Sequence, residues 1–134
     1  DPAVPTPWLL DLCLRAASEA RTTDLSELTQ RIKDGPDYAS VWPGEHYKLL
    51  AGFVKCLQPK IIVEIGTFRG IGTLALAKYL PDQGMIATFD PVPWSNVATT
   101  ALRQSDFSDR FVQFNENLAE MIFNKILMSF EQRL

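Results

Sequence analysis

The chain has 134 residues, enough for one domain around a single hydrophobic core. With 46% hydrophobic residues, 22% charged residues and a formal net charge of −3, it has the composition of a globular protein and no electrostatic reason to bind nucleic acid. No apolar run reaches the ~20 residues that span a bilayer, so no membrane partner is expected. Two distant cysteines without zinc-ligand spacing, and a start that lacks signal-peptide features, predict a cytoplasmic protein with no metal site.

The first part of the chain predicts an N-terminal helical segment over residues 1–58. Apolar residues recur at helical spacing in three stretches, and Pro or Gly punctuates the sequence between them. The predicted helices cover about residues 8–20, 24–33 and 45–57.

The pattern changes after Pro59, and residues 59–134 predict an α/β domain. Apolar runs of strand length alternate with helix-forming stretches, which implies a Rossmann-like parallel sheet of about three strands with flanking helices. The first run has too few polar residues for a half-exposed strand, so we expect both of its faces to be buried. The strands are predicted at residues 61–65, 85–89 and 110–114, and the helices at about 70–80, 95–104 and 118–133.

Polar or glycine-rich turns follow all three predicted strands. Gly66 follows the first strand, Asp90 ends the second, and residues 115–117 follow the third. Ligands of open parallel sheets bind beyond the carboxyl ends of the strands. Glycines suit such a loop because they adopt positive φ and allow close approach of a ligand to the backbone. The sequence therefore predicts a nucleotide-like ligand at this edge.

Two kinds of nucleotide loop compete for the glycine-rich stretch. The spacing of Gly70, Gly72 and Ala75 matches a variant of the dinucleotide fingerprint, and Asp90 follows at a suitable distance. In that fingerprint, however, the first glycine comes directly after the strand, whereas here Gly70 lies five residues beyond Ile65. The loop is too long for a tight pyrophosphate turn.

The stretch resembles instead the first motif of class I S-adenosylmethionine-dependent methyltransferases, an acid followed by spaced glycines. The motif positions are Glu64, Gly66, Gly70 and Gly72. Two segments are most similar to small-molecule O-methyltransferases: Val-Glu-Ile-Gly-Thr-Phe-Arg-Gly and the later Met-Ile-Ala-Thr-Phe-Asp. The resemblance covers about residues 40–118 and implies S-adenosylmethionine as the cofactor.

The resemblance implies roles for the residues around the glycine loop. Glu64 would face the amino group of the cofactor, directly or through water. Gly66, Gly70 and Gly72 would let the backbone pack under its methionine and ribose portions, and Thr67 belongs to the same cofactor-binding loop.

The adenosine end of the cofactor would lie at the second and third strands. The resemblance implies that Asp90 accepts hydrogen bonds from the ribose hydroxyls and that Pro91 and Val92 flank the adenine. Asn117 is the nearest candidate for the adenine amino group, with Glu116 second. The alternatives are a turn-forming role for Asp90 and a plain helix cap at residues 115–117.

For other residues near these loops, a structural interpretation is simpler than a role in binding. A structural role is expected for His46, the single histidine, and a solvated side chain is expected for Arg69. Trp94 could line a pocket or cap the hydrophobic core. No residue supports assignment as a general base, so the catalytic residues are unknown.

The resemblance therefore predicts a methyltransferase that acts on an oxygen of a small molecule. The alternatives are a non-catalytic binding or association domain of the same fold and, as a weaker option, an NAD-dependent oxidoreductase. The sheet of the resembled family normally has seven strands, so the resemblance implies that the sequence corresponds to the cofactor half of such an enzyme. We expect the open edge of the first strand and the apolar helix at 118–133 to be covered by further sequence, a second copy or a partner.

Overall fold

The computed structural model describes residues 4–33 and 45–117. In the described residues, three helices precede a sheet of three parallel strands in the order β1-β2-β3. The Rossmann-like α/β class predicted from the sequence is confirmed. The elements are α1 (Pro7–Thr22), α2 (Ser26–Thr29), α3 (Glu45–Leu57), β1 (Ile61–Ile65), α4 (Ile71–Ala77), β2 (Met85–Phe89), two 3₁₀ helices (Trp94–Asn96 and Gln104–Asp106) and β3 (Phe111–Phe114).

Helix α1 begins where the sequence provides a cap. The Thr6 hydroxyl accepts a hydrogen bond from the Leu9 N–H at 3.2 Å, and Pro7 occupies the first turn, where its missing N–H costs nothing. Leu12 and Ala16 are the buried residues of this helix, and α1 packs along α3. Helix α3 in turn packs on α4, which links the helical segment to the sheet domain. The predicted boundary between residues 58 and 59 stays a prediction.

Helices α2 and α4 are shorter than the sequence predicts. The hydrogen bonds beyond α4 tighten to three-residue spacing, with the Lys78 N–H on the Ala75 carbonyl and the Leu80 N–H on the Ala77 carbonyl. Pro81 follows and cannot continue the ladder. The chain after α2 tightens in the same way, so neither pattern extends to a full-length helix.

The helix predicted over residues 95–104 is wrong. That stretch contains two short 3₁₀ helices separated by irregular chain. Thr100 uses its hydroxyl to accept the Leu102 N–H at 3.2 Å, a local bond that competes with the helical ladder. The Ala101 N–H donates to the Arg69 carbonyl at 2.9 Å, and Ala101 and Leu102 are buried. Packing of this stretch under the glycine loop therefore outweighs its modest helix propensity.

The two faces of the sheet differ in burial. Ile86 and Phe111 are buried on the face that packs against the helices, within one apolar cluster that also contains Leu102. On the opposite face Ile61, Val63 and Ile65 are 62%, 54% and 75% exposed, so the prediction that both faces of β1 are buried is wrong for the described chain.

The far edge of β1 pairs with no strand in the described ranges. The helix predicted at 118–133 lies outside the described residues, so the expected cover of this edge and the expected association of copies stay predictions. None of the described helices has the length and apolarity needed to cross a bilayer.

Candidate functional site

A cleft of about 430 Å³ opens where β1 ends and the glycine loop begins. This volume lies within the ~300–1,000 Å³ that small-molecule sites span. The first turn of α3 forms one wall, and the loop leading into α4 forms the other. The lining residues are His46, Tyr47, Leu50, Glu64, Gly66, Thr67, Phe68, Arg69, Gly70, Ile71 and Gly72. Five of the eight predicted site residues therefore meet at one cavity.

Glu64 lines the cleft, and its two carboxylate oxygens have different neighbours. Its Oε2 accepts hydrogen bonds from the Thr73 hydroxyl at 2.5 Å and the Thr88 hydroxyl at 2.7 Å. Its Oε1 lies beside Gly72, which also lines the cleft, since a Cβ built on Gly72 would lie 2.6 Å from this oxygen. A carboxylate oxygen in a cleft can accept from a cationic N–H donor of a ligand.

The surroundings of Glu64 act on its charge in opposite directions. Burial raises the pKa of the carboxyl above its ordinary value, the bonds from Thr73 and Thr88 oppose that rise, and the nearby Asp90 adds to it. The net pKa is raised, so ionisation of Glu64 is costly in the folded protein. A ligand cation at Oε1 would offset this cost.

The glycine loop needs its glycines at two positions for different reasons. Gly66 has φ of 93°, and a Cβ there would meet no atom within 4 Å, so its backbone faces open space. Gly70 has φ of 76°, and a Cβ there would collide with the Leu102 side chain packed beneath the loop. Both positions therefore favour glycine. Only Gly66 leaves room above the backbone for a ligand to approach.

Gly72 has a third role, which is to leave space for Glu64. A Cβ on Gly72 would lie 2.6 Å from Glu64 Oε1. Any larger residue would push the carboxylate away from its present position. The motif glycine at 72 thus protects the placement of the motif acid at 64.

Thr67 lies in the loop but directs its hydroxyl into the sheet. The residue is 3% exposed, and its Oγ1 lies 2.8 Å from Thr88 Oγ1 and 3.0 Å from Gln113 Nε2. Thr67 therefore connects the loop to β2 and β3.

Asp90 organises the loops on both sides of it. Its Oδ2 accepts the Phe68 N–H at 2.8 Å, and its Oδ1 accepts the Val92 N–H at 2.9 Å. Phe68 has φ of 42°, a left-handed conformation that is costly without glycine, and this bond helps to hold it. Asp90 is thus a turn-former, and each oxygen keeps a further lone pair for a ligand hydroxyl.

Pro91 and Asn117 lie beyond the cleft. Pro91 directly follows Asp90 and is exposed, and Asn117 is exposed three residues after the end of β3. Both lie at the same edge of the sheet as Asp90, but neither belongs to the residues that line the cleft. Their predicted contacts with adenine stay predictions.

Several residues of the site were not predicted as such. Tyr47 lines the cleft, and burial raises the pKa of its phenol, with Arg69 lowering it and Glu64 raising it. The His46 ring lies 3.8 Å from the Tyr47 ring. The solvated side chain expected for Arg69 is wrong, because Arg69 is half-buried and its Nε donates to the Thr99 carbonyl at 3.2 Å. The position of Tyr47, just inside the helix after a loop, was the available signal.

The Trp94 ring packs on the hydrophobic core and is not among the residues that line the cleft. The ring stacks on Phe107 at 4.9 Å, and Phe107 stacks on Phe111 at 4.7 Å. This column of rings covers the buried face of β3 and holds the chain between β2 and β3.

An acid and an open glycine at the end of the first strand, with a second acid after the next strand, are typical of nucleotide sites at the carboxyl edge of a Rossmann-like sheet. The loop from Ile65 to the start of α4 at Ile71 is longer than a pyrophosphate turn. The model of the O-methyltransferase family matches residues 16–131, so the chain belongs to that family. S-adenosylmethionine is the methyl donor on which the family depends. No curated protein matches the chain.

Proposed function

We propose that the protein binds S-adenosylmethionine in the cleft and transfers its methyl group to an oxygen of a small molecule. The family membership supports the reaction class. The observation that carries the proposal is the placement of Glu64 in the cleft beside the open backbone of Gly66, with Oε2 held by two threonines and Oε1 beside Gly72.

The residues of the cleft fit the chemical groups of this ligand. The ammonium group would donate to Glu64 Oε1, and the chain of the amino acid would pass over the Gly66 backbone. The ribose hydroxyls would donate to the remaining lone pairs of Asp90, which its contacts with Phe68 and Val92 hold in place. Pro91 and Asn117, at the same edge of the sheet, would lie toward the adenine.

When bound, the sulfonium group supplies an electrophilic methyl, and the protein has to align the acceptor oxygen behind it. Tyr47 and Arg69 line the cleft near Glu64. The raised pKa of Tyr47 keeps its phenol protonated, so it would act as a hydrogen-bond donor there and not as a base. Within the described residues we assign no general base.

Calorimetric titration with S-adenosylmethionine, S-adenosylhomocysteine and NAD tests the proposal. We expect both methyl-donor forms to bind and NAD not to bind. Binding of NAD alone would overturn the proposal in favour of an oxidoreductase.

A methyl-transfer assay with a panel of hydroxylated small molecules distinguishes an enzyme from a binding domain. Transfer to one of them is the expected result. Binding of the donor without transfer to any acceptor would support the alternative of a non-catalytic domain. A cytoplasmic location and association through the edge of β1 remain further predictions.

A further inference from the structure

Gln113 joins the glycine loop to the loop that follows β2. It lies on β3 and is half-buried, and its amide reaches three partners. Its Nε2 donates to Thr67 Oγ1 at 3.0 Å and to the Val92 carbonyl at 3.2 Å, and its Oε1 accepts the Trp94 N–H at 2.9 Å. One side chain therefore contacts both the glycine loop and the loop after β2.

The backbone partners fix the orientation of this amide. A backbone N–H, as at Trp94, can only donate, so it must face Oε1. A carbonyl, as at Val92, can only accept, so it must face Nε2. A flipped amide would break both bonds. The group that meets Thr67 is therefore a donor.

This donor sets the direction of a chain of hydrogen bonds that ends at Glu64. Because Thr67 accepts from Gln113, its own hydrogen is available for Thr88, 2.8 Å away. Thr88 in turn donates to Glu64 Oε2 at 2.7 Å. Each hydroxyl has one hydrogen, so every bond points toward the carboxylate. Successive bonds in one direction polarise each other.

Thr88 is fully buried and Thr67 is 3% exposed. Replacing either hydroxyl of this hydrogen-bond chain with water would therefore cost free energy. We propose that Gln113 is a positioning residue that orients Glu64 through Thr67 and Thr88 while it holds the loop of Val92 and Trp94. The inference rests on the proposed function, because it assigns the two ends of the methyl donor to the two loops. Gln113 thereby makes recognition of the amino-acid end depend on the same residue as recognition of the adenosine end.

The substitution Gln113→Glu tests the inference, since it keeps the size of the side chain and replaces both N–H donors with an acceptor. The probes are S-adenosylhomocysteine, which has the amino-acid end, and 5′-methylthioadenosine, which lacks it. At about pH 8, where the introduced carboxyl is ionised, we expect affinity for S-adenosylhomocysteine to fall about tenfold or more. Affinity for 5′-methylthioadenosine should fall less, because this probe lacks the amino-acid end and would be affected only through the loop of Val92 and Trp94. Gln83→Glu is the matched control, because Gln83 is exposed in the turn before β2 at the far end of the sheet.

Thr67→Val distinguishes the hydrogen-bond chain to Glu64 from the contacts of Gln113 with the loop after β2. It also provides a test if Gln113→Glu does not fold. It removes the Gln113–Thr67 and Thr67–Thr88 bonds that lead to Glu64, but leaves the bonds that the Gln113 amide makes with Val92 and Trp94. Weaker binding of S-adenosylhomocysteine alone, restored in Thr67→Ser, is the expected result. Equal losses for the two probes, or none, in the folded variants would overturn the inference. If the unaltered protein binds neither probe, the proposed function itself fails.

Discussion

Thr88→Val removes a hydroxyl at the centre of the site while keeping the shape of the side chain. Thr88 is fully buried and lies between the hydroxyl of Thr67 and the carboxylate of Glu64. Valine can neither donate to the carboxylate nor accept from Thr67. We therefore expect the variant to fold with lower stability, and the loss should depend on pH.

The size of the loss follows from the two bonds. The bond to ionised Glu64 is worth about 1.5–3 kcal/mol and the bond with Thr67 about 0.5–1.5 kcal/mol, and burying a methyl instead of a hydroxyl offsets part of this. A net loss of about 2–3 kcal/mol in the free energy of unfolding is expected near neutral pH. Thr22→Val is the matched control and should change stability little, because Thr22 is exposed at the end of α1 and its hydroxyl donates only to the Glu19 carbonyl of the same helix.

The pH dependence follows from the raised pKa of Glu64. A folded pKa above the unfolded value contributes stability below the unfolded pKa, and that contribution is lost as pH rises through the folded pKa. Thr88 supports the charged form, so its removal raises the folded pKa further. The loss should be largest near pH 7.5 and smaller near pH 4.5, at about the unfolded pKa. Urea unfolding at both pH values measures it, and equal losses, or a loss under about 1 kcal/mol near neutral pH, would refute the reasoning.

Three further substitutions test the acid after β2 and the glycine loop. Asp90→Ala should weaken binding of S-adenosylhomocysteine by about 1.5–3 kcal/mol, measured by calorimetry, with the exposed Asp82→Ala as control. An unchanged affinity would remove Asp90 from the site. Gly70→Ala should lower the free energy of unfolding by about 2–4 kcal/mol, because it adds left-handed strain to a collision with Leu102. Gly66→Ala should cost only the strain, about 1–2 kcal/mol. Equal losses in urea unfolding would show that packing at Leu102 is unimportant.

The strands and the third helix could be predicted because their patterns were complete. The run Ile61–Ile65 has β-branched residues bounded by Pro59 and Gly66, and its bounds agree with those predicted. The region 95–104 could not be predicted in the same way. Its conformation depends on the Arg69 carbonyl and on a gap beneath Gly70 that Leu102 fills, and neither is visible in local sequence.

The site was predictable where a motif specifies a backbone, and not where it depends on contacts across strands. Glu64 and the glycines follow from spacing in one loop. Thr88 and Gln113 are ordinary strand residues in the sequence, and their connection to Glu64 arises only from the parallel register that places β1, β2 and β3 side by side. Tyr47 likewise reaches the cleft only because α3 packs against α4.

The most direct test of the central claim is calorimetric titration of Glu64→Gln with S-adenosylhomocysteine and 5′-methylthioadenosine. The amide oxygen can still accept from Thr73 and Thr88, which turns the NH₂ group toward the cleft. This role of Glu64 predicts that affinity for S-adenosylhomocysteine falls by about tenfold or more, while affinity for 5′-methylthioadenosine is unchanged. Unaltered binding of S-adenosylhomocysteine, or an equal loss for both ligands, would contradict it.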